Sequence, residues 1–140
     1  EQAAFTLFEQ QAEAYWPWVE EIERTVNLTN NYFIMNVESQ IIQPACALCH
    51  SVQKGQEPNI HLGLSFYPYD RENHNALNAE YALSYLLNLQ NPYYLRNKAT
   101  NQIQHGGGNA IPLNSTFSDS LSIHGENVQA VFNLLKQPPF

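Results

Sequence analysis

The sequence is short of positive charge, of sulfur and of long apolar stretches. Six Lys and Arg stand against 13 Asp and Glu in 140 residues, which gives a formal net charge of −7. Proteins that bind nucleic acid or anionic lipid present basic surfaces, so this charge argues against both as partners. A membrane helix needs about 20 consecutive apolar residues. Because no such run occurs, we predict no membrane span.

Only two cysteines are present, and they lie in one run, Cys46-Ala47-Leu48-Cys49-His50. A C-x-x-C-H run is the attachment signal of c-type haem. The two thiols form thioethers with the two vinyl groups of one haem, and the histidine that follows binds the iron. We therefore predict one covalent haem c, held by Cys46 and Cys49, with His50 as an iron ligand.

Three other interpretations of the two cysteines are open. A redox dithiol expects a βαβ context, which the sequence does not show. A zinc site needs a second pair of Cys or His ligands at a suitable spacing, and none completes this one. A disulfide between residues so close together would close too short a loop to stabilise the chain much. Haem attachment is the interpretation that the five-residue motif favours.

Covalent haem also bears on location, because it is attached after export. The chain starts at Glu1-Gln2 without the basic and apolar regions of a signal peptide. We therefore expect an exported protein, periplasmic or extracellular at the cell surface, whose signal peptide has been removed. An acidic surface of this kind steers basic redox partner proteins, although solubility alone also explains it.

The apolar pattern predicts a single domain of the all-α class. Spacings of three and four residues indicate helices over about 31–43, 76–89 and 126–136, with a further helical turn at 92–98. Pro44 is expected to end or bend the first of these helices, and Asn75 to cap the second.

The first thirty residues form a separate feature. Their apolar residues recur at helical spacing, at Phe8, Ala12, Tyr15, Val19, Ile22 and Val26. Pro17 is expected to kink or split this helix. We predict an N-terminal helical and aromatic extension over residues 1–30, followed by the main domain over residues 31–140.

From about Phe33 to Gln137 the chain resembles a monohaem cytochrome c domain of the class I type. The helix that leads into the haem motif is similar to the family's N-terminal helix, and residues 128–135 are similar to the C-terminal helix that packs on it. Residues 92–98 resemble the segment before the distal iron ligand. The resemblance implies a small helical domain wrapped around one covalent haem.

The family usually supplies a methionine as distal ligand, and here the sequence departs from that pattern. Its only methionine, Met35, precedes the haem motif and is interpreted as core filler. His105 and three glycines, residues 106–108, stand where the methionine loop belongs, and family variants with a His-Gly-Gly element there use the histidine. Glycines let the backbone pass close to a haem plane. The resemblance thus implies His50 and His105 as the two iron ligands; the alternative is a surface turn with an exposed His105.

The other histidines and the few cations have weaker assignments. His61 is expected to hydrogen-bond a haem propionate from the loop at the haem edge. Arg96 is the preferred cation for pairing with a propionate, with Arg71 and Lys98 as alternatives. His74 is expected to be solvated in a polar turn, and His124 to lie in the capping region of the last helix.

These expectations together predict electron transfer by a low-spin haem with two histidine ligands, and no enzyme activity. An iron with six ligands exchanges electrons but offers no site for a substrate. Another hypothesis is a subunit of a homo-oligomeric or filamentous, electron-conducting assembly that forms through the aromatic N-terminal arm. A third and weaker one is a haem sensor or peroxidase with an open iron site, which requires that His105 does not bind.

Overall fold

The computed structural model describes residues 2–47, 50–51, 64–69, 72–103, 105 and 110–139. Within these ranges the chain is all-α, as predicted, and its one β-type contact is an isolated parallel bridge between Ser51 and Phe66. The helices are α1 (Gln2–Phe33), a π-helix (Ile34–Cys46), α2 (His74–Leu89), α3 (Tyr94–Ala99) and α4 (Thr116–Lys136).

Helix α1 runs unbroken through Pro17, so the predicted split is wrong, and the predicted kink stays a prediction. Proline removes one backbone hydrogen bond and crowds the carbonyl four residues earlier, here that of Glu13. Every described side chain from residue 9 to residue 17 is exposed, so water can reach this part of the helix. The predicted boundary between residues 30 and 31 falls inside α1 and stays a prediction. The side chains of Phe8 and Ala12 lie outside the described ones.

The chain passes from α1 into the π-helix, which continues past Pro44 to Cys46. The expected stop at Pro44 is therefore wrong. A π-helix bonds each N–H to the carbonyl five residues earlier, and Pro44 has no N–H to give to Ser39. The hydroxyl of Tyr69 donates to that carbonyl instead, at 3.2 Å.

One face of the π-helix is buried, and the opposite face is exposed. Val37 and Ile41 have no exposed surface, whereas Met35 is 73% exposed. The interpretation of Met35 as core filler is wrong, because residue 35 lies on the side of the helix away from its buried neighbours Phe33 and Val37.

Helices α1 and α4 pack antiparallel and build much of the core. The indole N–H of Trp18 donates to the carbonyl of Leu134 at 2.7 Å, and the ring of Phe33 lies 5.1 Å from that of His124. The face of α4 towards α1 is apolar and buried, including Val128 and Val131. Burial of each large apolar side chain stabilises the fold by roughly 1.5–3 kcal/mol.

Helix α4 begins ten residues earlier than predicted. The hydroxyl of Ser115 caps it by accepting the N–H of Ser118 at 3.1 Å. Gly125 lies inside this helix. A Cβ at Gly125 would come within 2.7 Å of the Tyr93 ring, so this glycine permits close contact between the start of α3 and α4.

Helix α2 matches its predicted range closely at the C-terminal end. It ends at Leu89, and Gln90 takes the left-handed conformation that closes the helix before Pro92. Its start differs: the N-cap position is Asn73, in the left-handed conformation and without a side-chain cap bond, so the assignment of Asn75 is wrong. Helix α3 confirms the short helical segment expected after Pro92.

Candidate cofactor site

A single cavity gathers most of the described residues that the sequence pointed to. The space between its walls is ≈ 720 Å³, a volume that includes space open to solvent. Its walls come from the end of the π-helix, the two segments after it, α2, α3 and the residues beyond α3. The lining residues are Ala45, Cys46, His50, Leu64, Tyr85, Tyr94, Leu95, Lys98, Ala99, His105 and Ala110.

Two backbone contacts fix the position of His50. Its N–H donates to the carbonyl of Cys46, the last residue of the π-helix, at 2.9 Å. Its ring Nδ1 lies 3.1 Å from the carbonyl of Leu64. A carbonyl accepts only, so Nδ1 carries the proton and Nε2 keeps its lone pair for a metal ion.

The rings of His50 and His105 face each other across the cavity. Their centroids are 6.2 Å apart and their planes differ by 19°. An imidazole nitrogen lies about 2.0–2.1 Å from a bound metal ion, and the ring centroid lies about 1 Å further out. Two imidazoles that bind one ion from opposite sides therefore have centroids about 6 Å apart. The observed centroid separation of 6.2 Å is close to this distance.

His105 is held by the residues that follow α3. Its backbone N–H donates to the side-chain oxygen of Asn101 at 2.9 Å. Asn101 itself has a left-handed backbone, with φ of 59°, which reverses the chain after α3. The three glycines at 106–108 lie outside the described residues.

Cys46 lines the cavity beside His50, at the end of the π-helix. Cys49 and His61 lie outside the described residues, so their predicted roles as thioether and propionate partners stay predictions. The structure thus brings together three of the six predicted cofactor-binding residues: Cys46, His50 and His105.

Lys98, rather than Arg96, lines the cavity. Its ammonium lies 5.7 Å from the centre of the Tyr94 ring. Arg96 is partly buried, donates to the Asn97 side chain at 3.2 Å and keeps a buried Nε without a hydrogen-bond partner. Among the described lining residues, Lys98 is therefore the cation suited to meet a carboxylate of a bound cofactor.

Two tyrosines add polar groups that the sequence analysis did not assign. The rings of Tyr85 and Tyr94 lie 6.1 Å apart in the cavity wall. Burial raises the pKa of the Tyr85 hydroxyl, and Tyr94 raises it further through its charge and a hydrogen bond. Tyr85 is therefore neutral at physiological pH and can donate a hydrogen bond.

The other two described histidines lie elsewhere, and both expectations for them are wrong. His74 is not solvated in a turn: it begins α2, and its Nδ1 lies 3.0 Å from the carboxylate of Glu38. His124 lies within α4 and is only 1% exposed. Burial lowers the pKa of His124 to about 4, so its ring is uncharged at neutral pH.

Comparison with protein-family models, with curated proteins and with solved structures gives no match to this chain. Within the described ranges, no group of three or more His, Cys, Asp and Glu is placed to hold a metal ion. No helix in the described part of the chain is both long and apolar enough to cross a membrane. The pair of facing histidines is the feature that points to a function.

Proposed function

We propose that this protein is a monohaem c-type cytochrome that carries electrons, with His50 and His105 as its axial ligands. The observation that carries the proposal is the pair of imidazoles 6.2 Å apart in the cavity that Cys46 lines. When bound, a haem with two histidine ligands supplies one-electron transfer and no open coordination position. We assign no enzyme activity to the chain.

The residues around the cavity have separable tasks in this proposal. Leu64, Leu95 and Ala99 provide apolar walls that keep water from the cofactor. Lys98 and the two tyrosines provide the polar groups that carboxylates of the cofactor require. Histidine ligation on both sides favours a lower reduction potential than a methionine ligand does. The acidic surface suits basic redox partners, and the motif implies an exported protein.

Mass and absorption spectra of the purified protein test the proposal. We expect an intact mass that exceeds the chain mass by one haem, and a pigment that stays with the protein through acid–acetone extraction. Both oxidation states are expected to show low-spin spectra, with resonance Raman bands of two histidine ligands. An apo mass with two free thiols would refute the proposal.

Replacing Lys98 by methionine is expected to lower the reduction potential. Reduction adds one negative charge, which a nearby cation stabilises. One charge in a partly buried site contributes about 1 kcal/mol, which is roughly 40 mV for one electron. The matched control is Arg96→Met, which removes a cation outside the cavity lining and is expected to move the potential less. Equal shifts in both variants, measured by spectroelectrochemistry, would contradict the assignment of Lys98.

A second candidate function, a subunit of a homo-oligomer or filament, rests on the N-terminal part of α1. All described side chains from residue 9 to residue 17 are exposed, including Trp16 at 60%. Tyr15 contacts both Trp16 and Trp18, with ring centroids 5.6 and 5.7 Å away. Aromatic residues supply much of the binding energy of protein interfaces. The negative charge of the chain opposes self-association, so salt should strengthen it.

We expect Trp16→Ala, in the N-terminal part of α1, to weaken self-association of the haem-loaded protein tenfold or more. A tenfold change in the dissociation constant corresponds to a loss of about 1.4 kcal/mol of binding free energy at the interface. Leu28→Ala is the matched control, because Leu28 is also on α1 and is 56% exposed. Sedimentation velocity measures both variants. A wild-type protein that stays monomeric at high concentration and high salt would rule out this second function and leave electron transfer untouched.

Deleting residues 1–26 is a stronger test of the same arm. Trp18, Val19 and Ile22 are partly buried, and Trp18 bonds to α4. This deletion is therefore expected to destabilise the domain, whereas Trp16→Ala, which removes only an exposed side chain, should leave the melting temperature nearly unchanged. Thermal unfolding followed by circular dichroism distinguishes the two.

A further inference from the structure

A buried polar cluster lies between the π-helix and the start of α2, away from the cavity lining. It consists of Glu38, Gln43 and Asn78, which are 1%, 8% and 0% exposed. One carboxylate oxygen of Glu38 accepts hydrogen bonds from Gln43 at 2.7 Å and from Asn78 at 3.0 Å. The same oxygen lies 3.0 Å from Nδ1 of His74. The buried carboxylate thus organises two amide side chains and one imidazole.

The cluster fixes the backbone of Tyr67 on both sides. The N–H of Tyr67 donates to the Asn78 side-chain oxygen at 2.7 Å. Its carbonyl accepts from the amide nitrogens of Asn78 at 2.9 Å and Gln43 at 2.8 Å. The side chains of Gln43 and Asn78 therefore make the hydrogen bonds to Tyr67 that a neighbouring β-strand would otherwise make. These bonds hold the segment 64–69 against the π-helix and α2.

The segment 64–69 also contacts His50. The N–H of Phe66 donates to the carbonyl of His50, and the carbonyl of Leu64 lies 3.1 Å from His50 Nδ1. Leu64 is three residues before Tyr67, so its carbonyl can shift little while Tyr67 is fixed. A hydrogen bond to the second nitrogen of a metal-binding histidine sets the ring's orientation and its basicity.

We propose that Glu38 is a positioning residue for His50: through Gln43 and Asn78 it fixes Tyr67, and thereby aims the Leu64 carbonyl at the imidazole. The inference rests on the proposed function, because it assigns His50 to iron. Stability alone is a poor reason for such a cluster, since apolar residues often pack as well as a buried ionic group does.

The direction of the expected effect follows from the chemistry of the imidazole. A well-aligned acceptor at Nδ1–H makes the ring a stronger electron donor, which favours ferric iron. Loosening the Leu64 carbonyl therefore raises the reduction potential. It also exposes the amides of Phe66 and Tyr67 to exchange with solvent, an effect that does not depend on electron transfer.

The test compares three variants of the haem-loaded protein. Glu38→Leu removes the acceptor, whereas Glu38→Gln keeps an acceptor oxygen in the same place. Val131→Ala is the control for general loss of stability, because Val131 is a buried residue of α4 outside the cluster. Hydrogen exchange of the Phe66 and Tyr67 amides and the reduction potential are measured for each.

We expect Glu38→Leu to speed exchange at both amides tenfold or more and to shift the reduction equilibrium about threefold to tenfold toward the reduced form, at most about 59 mV. Glu38→Gln should show the exchange rates and the reduction potential of the wild type. Val131→Ala should leave the reduction potential unchanged. If Glu38→Leu does not fold, Gln43→Met serves, since it removes one bond to Glu38 and one to Tyr67.

The potential decides the outcome. A haem-loaded Glu38→Leu or Gln43→Met protein whose potential equals that of Val131→Ala would overturn this inference and leave the proposed function standing. A wild-type protein without haem would overturn the proposed function itself. Failure of Glu38→Gln to restore the potential would also count against the inference, because the acceptor geometry would then not be what matters.

Discussion

His105→Ala is expected to convert a low-spin haem into a high-spin or water-ligated one that binds carbon monoxide. The facing rings of His50 and His105, 6.2 Å apart, make His105 the sixth ligand in our proposal. Alanine provides no donor atom, so the iron would be left with the four porphyrin nitrogens and His50, or would take up water as a sixth ligand. Absorption spectra of the ferric and ferrous protein, with and without carbon monoxide, measure the change.

Two further variants make this result specific. His105→Met is expected to keep six ligands and to raise the potential, since methionine is the ligand that raises it. His124→Leu is the control, because His124 is buried in α4 outside the cavity lining and should leave the spectrum unchanged. An unchanged low-spin spectrum in His105→Ala would move the distal ligand to His61 or to a neighbouring subunit. Met35 is no longer a candidate, since it is 73% exposed.

The double variant Cys46→Ala with Cys49→Ala is expected to lose covalent haem and to fold poorly. The cavity has mostly apolar walls, and without its cofactor that surface is left against water. Exposing apolar surface to water costs about 25 cal/mol of free energy per Å². Burial of a porphyrin ring against the cavity walls is therefore expected to contribute several kcal/mol to the free energy of unfolding. Intact mass, acid–acetone extraction and thermal unfolding report the loss.

Met35→Ala is the matched control for this pair, because it removes the remaining sulfur atom of the chain from an exposed position. Its mass should still include one haem, and its unfolding should match that of the wild type. A double cysteine variant that unfolds like the wild type would show that the cofactor is no part of the core.

The sequence predicted those features that depend on neighbouring residues. The cysteine motif is contained in five consecutive positions, so the haem attachment that we propose could be predicted without a fold. The all-α class followed from apolar residues at helical spacing, and the end of α2 followed from the Asn91-Pro92 pair, because both signals act within one or two turns. His50 and His105 could both be named, although 55 positions separate them in the sequence, because each stands in a local motif.

Other predictions failed because a distant residue changed the local preference. The π-helix continues past Pro44, and the hydroxyl of the distant Tyr69 donates to the Ser39 carbonyl, which the proline cannot bind. Helix α4 begins ten residues earlier than predicted, and the Tyr93 ring packs against it at Gly125, where a side chain would leave no room. No local pattern contains either partner, so neither outcome could be derived from the helix alone.

By itself, then, the sequence determined the helical class, the haem motif and the two histidines that are candidates for the iron. Only the tertiary structure decided that their rings face each other, that Lys98 rather than Arg96 lines the cavity, and that Glu38 is buried beneath the segment that contacts His50. The physical reason is that secondary structure and covalent motifs depend on near neighbours. Distances between side chains depend on how the helices pack, which brings together residues that are far apart in the chain.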